Sequence, residues 1–127
     1  MIRTVFITGP TGIGKTEYAI NYALEHGGEI VSADSMQLYK YMDIGSAKPT
    51  PEERAKVRHY LVDEIDPRTP FSVYDYKHLA MEYIRKIDSE GKLPIVCGGT
   101  GLYVNSLVYD MDFSAPEGDQ EYRDRIW

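Results

Sequence analysis

The sequence has very little cysteine and no long apolar run. Its single cysteine, Cys97, excludes an internal disulfide framework and, because no Cys or His cluster surrounds it, a structural zinc site. No apolar stretch approaches the roughly 20 residues that cross a bilayer, and the amino-terminal residues show no signal-peptide pattern. We therefore expect a cytoplasmic protein that has no membrane partner.

Positive charge is also scarce, since the 127 residues carry a net charge of −6. This balance argues mildly against a large nucleic-acid footprint on this segment, because nucleic-acid binders usually present a basic face. The three histidines, His26, His59 and His78, have no metal-site spacing and are interpreted as surface or internally satisfied residues. Cys97 lies in an apolar run and is interpreted as a buried thiol of a strand.

What the sequence does have is a glycine-rich loop of the form G-x-x-x-x-G-K-[ST], preceded by an apolar run that predicts a buried strand. Glycines let backbone N–H groups surround an anion, and the helix that follows points its positive end at the same place. Lys15 adds a mobile charge, and Thr16 is placed to bind a magnesium ion (Mg²⁺) through its hydroxyl. A glycine-rich turn without a ligand is the alternative. The predicted polyphosphate or pyrophosphate site consists of Gly9, Pro10, Thr11, Gly12, Ile13, Gly14, Lys15 and Thr16.

Strand and helix signals alternate along the chain. This order predicts an α/β fold of the P-loop NTPase type, with a parallel sheet covered by helices on both faces. The strongest helix signal begins with a capping box at Ser72 and Asp75 and is closed by Gly91. After the first strand, further strands are predicted at 29–32, 60–65 and 93–97, and a helix is predicted at 102–107.

Ligands of parallel α/β sheets collect at the carboxyl ends of the strands, so the segments that follow the strands are expected to converge on the loop. One such segment places Asp34 beside polar groups of Ser35 and Gln37, a combination that suits a general base next to a recognition site. The alternative role of Asp34 is to cap a short helix. Another such segment is 98–101, which follows the strand predicted at 93–97. There Thr100 can direct its hydroxyl at the bound anion or can simply cap the helix that follows.

Taken together, these motifs resemble those of the tRNA dimethylallyltransferases, also called tRNA isopentenyltransferases. The resemblance covers nearly all of residues 2 to 109 and follows the order of the motifs in that family. The segments that carry it are 9–16, 32–39, 42–49, 59–67, 71–72 and 94–103.

The resemblance implies transfer of a dimethylallyl group from dimethylallyl diphosphate to the exocyclic amine of an adenosine beside the anticodon of tRNA, with release of diphosphate. An adenine amine is a poor nucleophile, so the attack benefits from a base, and Asp34 is the expected base. Lys15, the amides of residues 11–16 and Mg²⁺ on Thr16 would stabilise the leaving diphosphate. Thr100 resembles the family's threonine at the reacting centre.

The same resemblance implies contacts with tRNA. Residues Asp34, Ser35, Met36 and Gln37, together with Thr100, would hold the adenosine, which must leave its stack to be reached. Arg123 resembles a family arginine that touches tRNA.

Members of the family continue well beyond residue 127, through an inserted tRNA-binding region that can supply positive charge. We therefore expect residues 1–112 to form an incomplete catalytic core and residues 113–127 to begin the connection into that region. A fragment of this length is not expected to be fully active. The expected oligomeric state is a monomer.

Three other functions remain open. A P-loop kinase for small molecules uses a similar loop and a similar base, although kinases in general do not share the segments at 34–37 and 98–103. An adenylate isopentenyltransferase would use free AMP, ADP or ATP as the acceptor, but such enzymes commonly have Lys where this chain has Ser35. A binding module that uses nucleotide without turnover is the third.

Overall fold

The computed structural model describes residues 3–8, 15–40 and 49–111. Within these ranges the chain forms a four-stranded sheet in the order β1-β4-β2-β3, and every neighbouring pair of strands is parallel. The strands are β1 (Val5–Thr8), β2 (Gly28–Ser32), β3 (His59–Tyr60) and β4 (Leu93–Gly98). Parallel neighbours require crossover connections, and helices supply them.

Five helices belong to the described part of the chain. They are α1 (Lys15–His26), α2 (Ser35–Leu38), α3 (Pro51–Lys56), α4 (Val73–Ser89) and α5 (Gly101–Met111). The capping box predicted at the start of α4 is confirmed: the Ser72 hydroxyl accepts from the Asp75 amide, and the Asp75 carboxylate accepts from the Ser72 amide. None of the described helices is long and apolar enough to span a membrane.

Helices cover both faces of the sheet, as predicted, because successive strand side chains point to opposite sides. Helix α1 packs on one face and forms a core cluster with Val5, Ile7, Ala19, Ile20, Tyr22, Ala23, Ile30, Val57, Ile95 and Cys97. Helices α4 and α5 pack on the other face, in a cluster that contains Phe6, Val31, Ala33, Leu38, Tyr60, Leu61, Tyr76, Ala80, Ile84, Ile87, Val96, Tyr103, Val104 and Leu107.

The strand predicted at residues 60–65 is wrong over most of its length. Strand β3 ends at Tyr60, and the chain then turns through Leu61 and Asp63, whose φ angles are 65° and 57°. It regains only an isolated bridge between Ile65 and Tyr39. The apolar residues of this segment are buried in the core from a turn, so their burial mimics the pattern of a strand.

The central strands β2 and β4 approach each other very closely at their carboxyl ends. A Cβ atom on Gly98 would lie 2.3 Å from the carbonyl carbon of Ala33 and 2.4 Å from its oxygen. Backbone atoms cannot move aside as a flexible side chain can, so only glycine fits at this position.

Gly98→Ala is therefore expected to lower the free energy of unfolding of the complete protein by about 3 kcal/mol, because it forces the two strand ends apart. Gly101→Ala is the matched control, since a Cβ atom there meets nothing within 4 Å. Urea denaturation measures both variants. Equal stability of the two variants would contradict the steric argument.

Candidate active site

The carboxyl ends of β1, β4 and β2 lie side by side, because Thr8 pairs with Gly98 and Ser32 pairs with Cys97. The residues that follow β4 and β2 therefore meet at one edge of the sheet, and α1 begins at the same edge. Of the predicted phosphate loop, Lys15 and Thr16 belong to the described residues. Gly9, Pro10, Thr11, Gly12, Ile13 and Gly14 lie outside them, as does Arg123, so their roles stay predictions.

Three hydrogen bonds hold the segment that carries Asp34 against the segment that carries Thr100, two between main-chain groups and one to the Thr100 side chain. The Ala33 amide donates to the Cys97 carbonyl (2.8 Å), and the Thr100 amide donates to the Ala33 carbonyl (3.0 Å). The Ser35 amide donates to Oγ1 of Thr100 (2.9 Å). These three bonds extend the pairing of β2 and β4 past the ends of both strands, so the two segments form one unit.

Asp34 is half-buried immediately before α2. Its carbonyl accepts from the amides of Gln37 (3.1 Å) and Leu38 (3.2 Å), and its own amide donates to Oγ of Ser32 (3.3 Å). The backbone of Asp34 thus starts the short helix, whichever role its side chain has. Asp34 follows β2 at the edge of the sheet where the predicted base would act, and its roles as a base and as a cap both stay predictions.

Lys15 is the first residue of α1 and is only 9% exposed. Its carbonyl lies 4.0 Å from Sγ of Cys97, which anchors the start of α1 over the central strand β4. Burial raises the pKa of the Cys97 thiol to about 12, the charge of Lys15 lowers it, and the charge of Asp34 raises it. The buried thiol thus responds to the charges of both Lys15 and Asp34.

The predicted adenosine-binding residues differ in how they are placed. Gln37 is buried, and its Oε1 accepts from Oγ of Ser32 (2.9 Å), so part of its amide group is engaged inside the protein. Ser35 is half-buried beside Thr100, and Met36 belongs to α2. Their predicted contacts with adenosine stay predictions.

Two tyrosines, Tyr76 and Tyr103, support the end of β2 from within the core, and the sequence patterns did not indicate this role. The hydroxyl of Tyr76 donates to the Ser32 carbonyl (2.8 Å), and its ring stacks on Tyr103 at a centroid distance of 4.0 Å. Tyr76 is fully buried, which raises its pKa well above the usual range and keeps the hydroxyl a donor. No local pattern signals this contact, because 44 residues separate the partners.

His59 also departs from expectation. It is buried at the start of β3, where Nδ1 lies 2.8 Å from the Val57 carbonyl, while Nε2 has no hydrogen-bond partner. Burial lowers its pKa, so the ring is neutral near physiological pH. The ring lines a small cavity together with Thr16, Ser32, Gln37 and Cys97.

A magnesium ion fits the start of α1 only if the substrate supplies further ligands. The described residues contain no group of three or more His, Cys, Asp or Glu side chains that could hold a metal. Mg²⁺ usually takes one or two protein ligands together with phosphate oxygens and waters. The half-buried Thr16 in the first turn of α1 meets that requirement.

The model of the IPP transferase family matches residues 37–127. The chain belongs to this family. It is 55% identical over 126 residues to a tRNA dimethylallyltransferase of Acetivibrio thermocellus, an alignment that covers 99% of this chain and 40% of that protein.

Solved structures agree with the family assignment. A tRNA isopentenylpyrophosphate transferase from Bacillus halodurans has 46% sequence identity and a TM-score of 0.83, covering 87% of this chain and 36% of that one. A eukaryotic dimethylallyltransferase acting on tRNA has 33% identity and a TM-score of 0.76, covering 83% and 26%. These likenesses confirm the P-loop NTPase-like α/β class. The chain thus spans well under half the length of these IPP transferase relatives.

Thr100→Val is expected to release the Ser35 amide, because valine keeps the shape of threonine without the acceptor oxygen. The free energy of unfolding should fall by about 1 kcal/mol, and the Ser35 amide should exchange its hydrogen faster. Thr100→Ser, which retains the hydroxyl, is the control. Unchanged protection of the Ser35 amide in the valine variant would contradict this role of Thr100.

Cys97 should make stability fall at high pH. Its pKa is raised from 9.0 in the unfolded chain to about 12 in the folded protein. Below about pH 9 the thiol is protonated in both the folded and the unfolded state, so its full contribution to stability is present. Between about pH 9 and 12 the unfolded chain loses the proton first, so the free energy of unfolding falls by up to about 1.4 kcal/mol per pH unit. Unfolding measured across this range should show a steeper decline than in Cys97→Ala. Parallel curves would refute the assignment.

Proposed function

We propose that the complete protein transfers a dimethylallyl group from dimethylallyl diphosphate to the exocyclic amine of an adenosine next to the anticodon in tRNA, releasing diphosphate. The observation that carries this proposal is the unit formed by the Asp34 and Thr100 segments at the edge where α1 begins. A base, a hydroxyl and the start of a phosphate-binding helix are thereby gathered at one place. A relative with 55% identity bears the name of this activity.

Asp34 acts as the base in the proposed reaction. The adenine nitrogen forms a bond to the allylic carbon, the bond from that carbon to the diphosphate oxygen breaks, and the amine proton passes to the Asp34 carboxylate. The short helix α2 and the Thr100 segment fix the backbone on both sides of Asp34, which holds the carboxylate in one place during the attack.

The leaving diphosphate is bound at the start of α1. Lys15 supplies positive charge, and the amides of residues 11–16 supply donors that strengthen as negative charge develops. Mg²⁺ bound to the Thr16 hydroxyl would neutralise part of the charge on the phosphate oxygens. The Thr100 hydroxyl accompanies the Asp34 segment at the reacting centre.

The acceptor is the anticodon loop of tRNA in this proposal. Asp34, Ser35, Met36 and Gln37 would contact the flipped-out adenosine, and Arg123 would contact the tRNA beyond the core. Residues 1–112 are the proposed core, with 113–127 leading into a tRNA-binding region that provides the positive charge this segment lacks. The proposed enzyme is a monomer that works in the cytoplasm, where it meets tRNA.

Asp34→Asn should lower kcat of the complete protein at least about a hundredfold, because the amide cannot take the proton. Binding of dimethylallyl diphosphate, measured by calorimetry, should stay within about twofold, since the base acts on the acceptor. Asp88→Asn, at an exposed position near the end of α4, is the control for the loss of one carboxylate. Equal loss of turnover and diphosphate binding would instead support a capping role for Asp34.

The acceptor is tested with labelled dimethylallyl diphosphate. Label should appear in tRNA that has adenosine beside its anticodon and should not appear in free AMP, ADP or ATP. Labelling of the free nucleotides but not tRNA would replace this proposal with an adenylate isopentenyltransferase. Transfer of phosphate from ATP to a small molecule would replace it with a kinase.

A further inference from the structure

A small cavity lies beneath the first turn of α1, on the face of the sheet that α1 covers. Apolar side chains of Ala19, Ile30 and Pro49 form part of its lining, and the other lining residues are Thr16, Ser32, Gln37, His59 and Cys97. It has room for about one water molecule. The cavity therefore borders both the helix start proposed to hold diphosphate and the buried side of Gln37.

His59 brings a buried hydrogen-bond acceptor to this cavity. The residue is 9% exposed, and Nδ1 lies 2.8 Å from the Val57 carbonyl. A carbonyl can only accept, so Nδ1 carries the proton of the neutral ring and Nε2 carries a lone pair. Among the residues that the structure describes, no atom donates to Nε2, although buried acceptors are almost always satisfied.

The neighbouring hydroxyl and thiol direct their protons elsewhere. Ser32 donates to Oε1 of Gln37 (2.9 Å), and the Cys97 thiol lies against the Lys15 carbonyl (4.0 Å). Neither of these two groups is therefore available as a donor for Nε2. A water molecule meets this need, because it can donate to Nε2 and, with its second proton, to the oxygen of Ser32 or Gln37.

We propose that this cavity is a binding site for one buried water molecule, held between Nε2 of His59 and the Ser32–Gln37 pair, and that His59 positions Gln37 through this water. Nothing in the proposed reaction requires His59 to touch the substrate. It acts by keeping the Gln37 side chain in one rotamer. The link to catalysis rests on the proposed function, in which Gln37 contacts the acceptor adenosine.

Two variants of His59 separate its two nitrogens. In His59→Asn the side-chain amide can still donate to the Val57 carbonyl, but the acceptor in the cavity is lost. In His59→Gln the longer side chain can return an acceptor near the position of Nε2, at the expense of the Val57 contact. If His59 has a purely structural role, the more stable variant should also be the more active one. The proposed role predicts instead that the more stable variant is the less active one.

The expected result for the complete protein is that His59→Asn stays the more stable variant but loses about tenfold in kcat/KM for tRNA, the effect of one hydrogen bond. His59→Gln should recover most of that efficiency while melting at the lower temperature. Diphosphate affinity should remain unchanged in both. Activity that tracks melting temperature, or an unchanged kcat/KM in His59→Asn, would overturn the positioning role.

A double-mutant cycle tests the link to Gln37. His59→Asn should cause little further loss when combined with Gln37→Ala, because the group that it positions is already gone. Full additivity of the two losses would contradict the proposal.

The water itself is tested without substrate. A high-resolution crystal structure of the complete protein should show a water within hydrogen-bonding distance of Nε2, and ¹⁵N spectra of the wild-type protein should report Nε2 of His59 as a hydrogen-bonded acceptor. A dry cavity would overturn the water site. If the water is present but tRNA is not modified by the wild-type protein, the proposed function fails and the site stands.

Discussion

The backbones of Gly98 and Ala33 touch, and the rest of the site depends on this contact. Because Gly98 has no side chain, the ends of β2 and β4 come close enough for the Ala33 amide to reach the Cys97 carbonyl and for the Thr100 amide to reach the Ala33 carbonyl. Sheet pairing therefore continues beyond the strands themselves. The spacing between the Asp34 and Thr100 segments is set by the missing methyl group at this one position.

The start of α1 and the end of β2 bring a positive and a negative residue to the carboxyl end of the central strand β4. Lys15 stands at the start of α1, where its carbonyl faces Cys97, and Asp34 follows the neighbouring strand. Lys15 lowers the pKa of the Cys97 thiol and Asp34 raises it. Burial has the largest influence and raises this pKa, so the thiol is held in its neutral form.

Most of the fold could be predicted from local patterns, because its strands are short apolar runs and its longest helix has a capping box at Ser72. The meeting of the Asp34 and Thr100 segments was also predictable, since parallel strands end at a common edge. The end of β3 could not be predicted, because Leu61 and Val62 are as apolar and as buried as the residues of a strand. The role of His59 was hidden too, since its burial depends on pairing with Ile30, which lies 29 positions away in the chain.

Helix α4 stabilises the end of β2 through a contact that no local sequence pattern indicates. Tyr76 reaches through the core to the Ser32 carbonyl, and the stacked ring of Tyr103 supports it from α5. Long-range contacts of this kind connect residues that the sequence separates widely. They explain why the end of β2 keeps its position although the short helix α2 that follows has only four residues.

The Asp34 segment is fixed largely through its own main-chain atoms. Ala33 uses its amide and carbonyl, and Ser35 uses its amide, to bind the segment after β4. The side chain at position 35 can therefore change during evolution without loss of the hydrogen bond that its amide donates. The residue at position 35 can therefore vary, and with it the preference for an acceptor, while the loop keeps its geometry.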